Sequence, residues 1–481
     1  MRFKPLLATA LLLMSIPCLS QAQTALRDQP EVADALKVFD LWIEQFVAYR
    51  DIPGLSIAIV HDQEIVWAKG YGFADLTTKT PATPSTVYRL GSITKLFTAS
   101  AIMKLRDEGK LRLDNPVESY LPWFHVSNPF PDEPQITVRE LLTHTSGLPR
   151  EAPFPYWTDH IFPTQAQFQA AEGHQEVLYP PDTTYHYSNL GMALLGAVVA
   201  EVSGRPWAEY VDEEILRPLG MTSSSGAPDK ELLSRRATSY MMPGPDGVRG
   251  TFPYYDTGAL RPAANMVSTV EDLSRFASLQ FREGPNSESR VLANSTLRDM
   301  RRVHWVYPSF SGGRGLGFAV SRRDGTTIVG HGGWIGGNRT HLLLVPDQKI
   351  AVIVALNADD GSPYTVARQA YDAVGPALVT ATREPAPPKA KADPEWQRYV
   401  GVYSDPWGWK YRIMILDDQL VEYAYDVPPY DDATSGFTTL EPVEGTTFRT
   451  PDLELVTFEL DAEGQVVRIK RRNDYIFPVK E

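Results

Sequence analysis

The sequence predicts an α+β body, an antiparallel sheet flanked by helices with an inserted helical region, followed by a small all-β C-terminal domain. Three observations predict it. Two apolar strands stand early in the chain, three more stand late, and helical patterns fill the interval. A Pro/Ala/Lys-rich stretch then sets this body apart from a tail patterned only as short strands and turns.

The first residues, MRFKPLLATALLLMSIPCLSQAQ, combine basic Arg2 and Lys4, an apolar run Leu6 to Ile16, and a small-residue ending Ser20-Gln21-Ala22. That pattern predicts a signal peptide over 1–22, with an apolar run too short to span a bilayer. The mature chain is therefore expected to be periplasmic or secreted, with no membrane span. Cys18 is the single cysteine. A lipid anchor there is the alternative, and Pro17 directly before it fits such a site poorly. Cleavage after Ala22 leaves no cysteine, hence neither disulfide nor thiol chemistry.

The body is predicted over 23–382. LSIAIV (Leu55–Val60) and EIVWAKGYG (Glu64–Gly72) read as a hairpin and as the first element of the body. Thr137-Val138-Arg139-Glu140 reads as a capping box for VRELLTH, which stops near Gly147. SNLGMALLGAVVAEVSG is a helix apolar almost all round, stopped by Gly204 and expected to be deeply buried. Ser268-Thr269-Val270-Glu271 opens the helix VEDLSRFASLQF. TTIVGHGG, THLLLV and KIAVIVALN predict three adjacent strands, and SPYTVARQAYDAVGPAL a closing helix. REPAPPKAKADPE supplies a linker over 383–394. The tail, 395–481, alternates strands with turns, as in KYRIMILDDQLVEYAY and ELVTFELDAEGQVVRIKRR, which predicts a small sandwich or barrel.

The bulk numbers exclude some functions. The chain has 481 residues, 43% hydrophobic and 22% charged, with a formal net charge of −13. Removing Arg2 and Lys4 with the leader takes the charge to −15. A nucleic-acid partner needs a basic face, and this composition offers none. The nine histidines show no metal-ligand spacing, so neither metal nor cofactor is expected. There is no HExxH, P-loop or GxSxG pattern.

The chemistry starts at GSITKLFTA, where Ser92 and Lys95 lie three residues apart at the start of an apolar helical pattern. On a helix, positions i and i+3 share a face, so the lysine amine reaches the serine hydroxyl. Burial beside Leu96 and Phe97 favours the neutral, proton-accepting amine. The bland reading is a serine N-cap with a surface lysine, and an S-x-x-K match arises about once by chance in a chain this long. Two further stretches add to it. Tyr187-Ser188-Asn189 enters the buried helix, either as an N-cap or as a proton-relaying hydroxyl with an amide that holds a substrate carbonyl. His331-Gly332-Gly333 stands at a strand end, either as a Gly-rich turn or as an edge that a substrate backbone can approach.

In this order, the three motifs resemble the serine hydrolase superfamily of class C β-lactamases and penicillin-binding-protein-like enzymes, D-alanyl-D-alanine carboxypeptidases, D-aminopeptidases and related esterases. PGLSIAIVHDQEIVWAKGYGFAD, ITVRELLTHTSGLP, PAANMVSTVEDLSRF and GLGFAV are similar to the same family, and the resemblance covers essentially the whole body. The tail is similar, more weakly, to the β-barrel-like C-terminal domains of some members. The resemblance implies a β-lactamase/transpeptidase-like fold and a role for each residue. Ser92 would form an acyl-enzyme, Lys95 would take or position its proton, and Tyr187 would relay protons to the leaving group. Asn189 would hold the substrate amide or acyl group, with Gly333 and His331 beside the substrate. The oxyanion hole would be the backbone N–H groups of Ser92 and Trp334, contributing roughly 3–4 kcal/mol each. Whether Lys95 or Tyr187 is the base stays open at this point.

One departure matters. The third motif is HGG, where β-lactamases carry a lysine that receives the substrate carboxylate. His331 favours peptidases and esterases over a true β-lactamase, and Trp334 adds bulk beside the acyl site. His144, at a helix end, reads as structural. The expectation is an exported serine hydrolase acting on a D-amino-acid-type peptide, cell-wall-derived peptides included, or on a small ester. The alternatives are a true β-lactamase and a slow-turnover penicillin-binding or sensor-like protein, with the tail as a carbohydrate- or partner-binding module. The oligomeric state is open.

Overall fold

The computed structural model describes residues 25–171, 175–283, 291–383, 392–424 and 437–479. The predicted leader, with Cys18, and most of the predicted linker lie outside the described residues. The chain divides into two compact units, Met1–Arg383 and Glu384–Glu481.

The first unit carries a nine-stranded antiparallel sheet. Its strands are β1 (Gly54–His61), β2 (Glu64–Asp75), β3 (Thr80–Pro81), β4 (Trp305–Val306), β5 (Gly312–Arg314), β6 (Ala319–Arg323), β7 (Thr326–Ile335), β8 (Asn338–Val345) and β9 (Ile350–Leu356). The spatial order is β3-β2-β1-β9-β8-β7-β6-β5-β4. β9 is central and buried along its whole length, which explains why IAVIVAL is one continuous apolar run. In β1, Leu55, Ile57 and Ile59 face one core, while Ala58 and Val60 face the other.

The first of these cores lies under two 20-residue helices, α1 (Pro30–Tyr49) and the closing helix α6 (Pro363–Thr382). The sequence reading began with the hairpin; the structure corrects this by placing α1 ahead of it. Its buried positions, Val32, Leu36, Phe39, Ile43 and Val47, recur at helical spacing in a narrow stripe.

The other core is helical. It holds α2 (Thr94–Asp107), α3 (Val138–Thr143), α4 (Asn189–Ser203) and α5 (Val270–Gln280). Thr137 and Glu140 form the reciprocal capping box of α3, and His144 closes that helix in the left-handed conformation, φ 60°. The Ser188 hydroxyl accepts from the Gly191 N–H to cap α4, and Gly204, φ 71°, ends it. Thr269 caps α5 through the Asp272 N–H.

The second unit is a closed eight-stranded barrel running from Gly401–Ser404 to Asp474–Pro478. Ile413, Leu420, Leu440, Phe448, Phe458 and Ile469 fill it. Of the sandwich and the barrel left open by the sequence, the barrel is found. Two of its strands, Phe437–Glu444 and Thr447–Arg449, were not read from sequence, because a register shift at Pro442/Glu444 interrupts the alternation.

Candidate active site

Ser92 sits in a 3-10 turn, Gly91–Ile93, directly ahead of α2. It is therefore one step outside the helix in which the sequence pattern placed it, while Lys95 lies in the first turn of α2. Two glycines fix that turn against β7. Gly91 has φ +52°, and a Cβ there would lie 2.7 Å from the Trp334 amide nitrogen. A Cβ on Gly333 would fall 1.9 Å from the Leu90 carbonyl oxygen and 2.3 Å from Thr340 Oγ1. Thr340 Oγ1 donates to that same Leu90 oxygen at 2.9 Å. The backbones of the Ser92 turn and of Gly333–Trp334 thus meet with no side chain between them.

β7 is internal in the sheet order, which corrects its expected place at the edge. It is nevertheless open where it matters. Its pairing with β6 ends at Gly330, opposite Ala319, while its pairing with β8 continues to Ile335. Residues 331–335 therefore have one strand neighbour, and their other side faces a cleft of about 880 Å³. Ser92, Tyr187, Asn189, His331, Gly333 and Trp334 all line this cleft.

Lys95 Nζ lies 3.1 Å from Ser92 Oγ and 2.8 Å from the Ala263 carbonyl oxygen. The lysine is fully buried. Burial holds its amine well below the usual lysine range; Glu151 opposes this, while Arg150 and Arg314 add to it. The Tyr187 hydroxyl donates to Ser92 Oγ at 2.8 Å. Burial pushes the Tyr187 phenol up to about 12, the Ser92 hydrogen bond opposing. One hydroxyl thus stands between a group able to accept a proton and a group able to give one.

The remaining expected residues are present with altered partners. Asn189 Nδ2 donates to Glu151 Oε1 at 2.6 Å, and Tyr156 donates to Oε2 at 2.7 Å. Asn189 is therefore braced by a carboxylate. His331 Nδ1 lies 2.6 Å from the Gly332 carbonyl oxygen, which sets the Nδ1–H tautomer. Its Nε2 is buried without a partner among the described residues. Burial holds His331 well below the usual histidine range, with Arg314 and Lys95 acting in the same direction. The Trp334 indole N–H donates to Asp359 Oδ1 at 2.7 Å, which pins the ring over the cleft while 57% of the residue stays exposed. His144 is fully buried; its Nδ1 accepts from the Ser188 N–H at 3.2 Å, and its ring lies 4.5 Å from that of Tyr187.

Sequence reading missed Arg150, Glu151, Tyr185, Ala263 and Arg314. Arg150 and Glu151 directly follow the quoted ITVRELLTHTSGLP, and Arg314 directly precedes GLGFAV. Nothing in the linear pattern shows that those two segments converge on Lys95. Among the described residues, no group of three His, Cys, Asp or Glu side chains is placed to hold a metal, and no helix is long and apolar enough to cross a membrane.

An antiparallel sheet between two helical layers, with a serine, a buried lysine and a tyrosine meeting at one hydroxyl, is the arrangement of a β-lactamase-fold serine hydrolase. The Beta-lactamase family model matches residues 39–375, and the chain belongs to that family. Beta-lactamase-like protein 2 of Dictyostelium discoideum is 29% identical over 351 residues, 71% of this chain and 63% of that protein. Protein flp of Staphylococcus aureus is 27% identical over 326 residues, 67% of this chain and 63% of that protein. The chain thus spans 63% of the length of these relatives. Among solved structures, the octameric penicillin-binding protein homologue from Pyrococcus abyssi superposes with a TM-score of 0.61 at 26% identity. That match covers 92% of this chain and all but 1% of the other. A D-stereospecific amidohydrolase from Streptomyces sp. gives 0.57 at 25% identity, over 69% of this chain and 97% of the other. EstCE1, a hydrolase with promiscuous acyltransferase activity, shares the fold, with a TM-score of 0.60 at 24% identity over 71% of this chain and 98% of the other.

Proposed function

We propose that the protein is an exported serine hydrolase that forms an acyl-enzyme on Ser92 and cleaves a D-amino-acid-type peptide or a small ester. The observation that carries this reading is the double contact at Ser92 Oγ, 3.1 Å to Lys95 and 2.8 Å to Tyr187, with the lysine buried. Lys95, held as the free amine, takes the Ser92 proton as Oγ attacks the substrate carbonyl carbon. The carbonyl oxygen turns towards the N–H groups of Ser92 and Trp334 as it gains charge. Tyr187 is protonated at neutral pH and gives its proton to the leaving group as the C–N or C–O bond breaks. It recovers one from Lys95. Water then repeats the sequence on the acyl-enzyme and releases the acid. On this account Lys95 is the base and Tyr187 the acid.

The neighbouring amidohydrolase supports a D-configured amide as substrate. His331 supports peptidase or esterase action over β-lactam hydrolysis, because its only N–H is spent on Gly332 and it offers a carboxylate no charge. The basic and apolar N-terminal segment supports export to the periplasm or medium. A panel of D-peptides, p-nitrophenyl esters and a chromogenic β-lactam on one purified sample, followed by intact mass, tests the reading. Transient adducts with D-peptides or esters are expected. A lasting adduct makes the protein a slow-turnover binder, and preferential β-lactam turnover makes it a β-lactamase.

A further inference from the structure

The cleft has two ends, and the chemistry at Ser92 tells them apart. The His331 ring, where the open stretch of β7 begins, lies 6.3 Å from the Tyr187 ring. Tyr187 gives its proton to the leaving group, so the leaving group departs at the His331 end. The acyl group then runs the other way, along the open side of β7 towards Ile335 and Gly336.

That second end is built of aromatic rings. Trp157, His160, Phe252 and Tyr255 line the cleft there. A Cβ on Gly336 would lie 2.9 Å from the Tyr255 hydroxyl oxygen and 3.3 Å from Phe252 Cγ, so both rings abut the end of β7. His160 stacks on Tyr255 with centres 4.4 Å apart and planes 5° apart, and it meets Phe252 edge-on at 6.3 Å. Behind them, Phe162 lies parallel to Tyr255 at 5.6 Å and takes Trp157 edge-on at 5.2 Å. Tyr255, Ala264 and Ile335 form a small buried apolar cluster of their own. The array is fixed from outside the cleft as well. The buried Arg89 donates through Nη2 to the Tyr255 carbonyl oxygen at 2.9 Å, and its guanidinium carbon lies 4.2 Å from the centre of that ring. Tyr156, stacked on Phe162 at 4.9 Å, donates to the same Glu151 carboxylate that braces Asn189. The rings are thus set before a substrate arrives, which lowers the cost of ordering them on binding.

We propose that this end is the acyl subsite and that it selects an aromatic acyl group, the aryl side chain of a D-aminoacyl residue or an arylacetyl ester. This rests on the hydrolase reading given above and on the direction it sets for the acyl chain. Aromatic pairs gain from stacked and edge-on geometry beyond the area they bury, and a saturated ring of the same size gains only the area.

The test compares kcat/KM for p-nitrophenyl phenylacetate and p-nitrophenyl cyclohexylacetate, each divided by its rate of hydroxide hydrolysis. The leaving group is the same in both. Wild type is expected to prefer the phenylacetyl ester by about 10-fold, more than one ring contributing. Trp157→Ala and Phe252→Leu should each lower that ratio by about 3-fold. A wild-type ratio near one, or a ratio unchanged in both variants, overturns the proposal. If Phe252→Leu does not fold, Trp157→Ala, at a residue 37% exposed, decides alone. Ser92 labelling by a phosphonate is measured alongside. Normal labelling with a flat ratio overturns the subsite only, whereas failure of wild-type Ser92 to label brings down the hydrolase reading itself.

Discussion

The Lys95 amine, on a fully buried side chain, stands 3.1 Å from Ser92 Oγ at the cleft wall and forms no ion pair among the described residues. A lysine kept there as a cation would be of no use as a base. The sequence shows the two residues one turn apart; the structure shows why the amine is free to accept. Lys95→Arg puts a permanent positive charge in place of the free amine and removes the ability to accept a proton. It is expected to lower kcat/KM by about 10²- to 10⁴-fold, the usual contribution of a general base. Stopped-flow acylation by a p-nitrophenyl ester measures it, and a variant near wild-type rate would show Lys95 to be structural.

The contact between the Ser92 turn and β7 depends on the missing side chain at Gly333. In Gly333→Ala the new methyl meets the Leu90 carbonyl oxygen and Thr340, so the two strands of backbone must part. The expected loss is about 10²- to 10³-fold in kcat, the scale of one oxyanion donor. Overpacking adds about 1–3 kcal/mol of destabilisation. Urea melts and steady-state rates on the same sample separate the two effects. Retained activity would place the oxyanion site elsewhere.

His331 marks the chain's departure from the lysine of β-lactamases. In His331→Lys a charged donor replaces a neutral ring whose N–H is already spent. A charged hydrogen bond contributes roughly 1.5–3 kcal/mol, or about 10- to 100-fold in rate. That gain should fall on acyl donors bearing a free carboxylate and not on neutral esters. The ratio of the two kcat/KM values, at fixed pH and salt, is the quantity to compare. An unchanged ratio would mean that His331 does not face the carboxylate end.

His341 supplies a pH dependence of stability. Burial lowers its pKa from 6.5 to about 4, so the unfolded chain binds its proton first. The sign follows: its contribution is fully present above 6.5 and is lost as pH falls towards 4. The loss is on the order of 2 kcal/mol, allowing for partial exposure of the ring. Chemical denaturation of His341→Gln across that window should show a flatter profile than wild type. Parallel profiles would mean that His341 titrates alike in both states.

How much of this was legible depends on where the information lies. Local signals read well. The Thr137/Glu140 box, the Ser188 and Thr269 caps and the Gly204 stop each depend on residues within one turn of the end they mark. The β7–β8–β9 run read well because β9, buried on both faces, is apolar without interruption. The stripe of α1 and the barrel strand containing Pro442 carry weaker patterns and were missed. At the candidate site, motifs in the sequence name Ser92, Lys95 and Tyr187, and the fold brings these three together. The Ala263 carbonyl that receives the Lys95 amine lies 168 residues away in sequence. Only the tertiary structure brings it there.

The central claim is that Ser92 Oγ is the nucleophile. The most direct measurement is intact mass after brief exposure to a serine-directed phosphonate, in wild type and in Ser92→Ala. The account predicts one stoichiometric adduct in wild type, mapped to the peptide containing Ser92, and none in a Ser92→Ala protein with an unchanged melting profile. The same adduct forming at the wild-type rate in Ser92→Ala would contradict it.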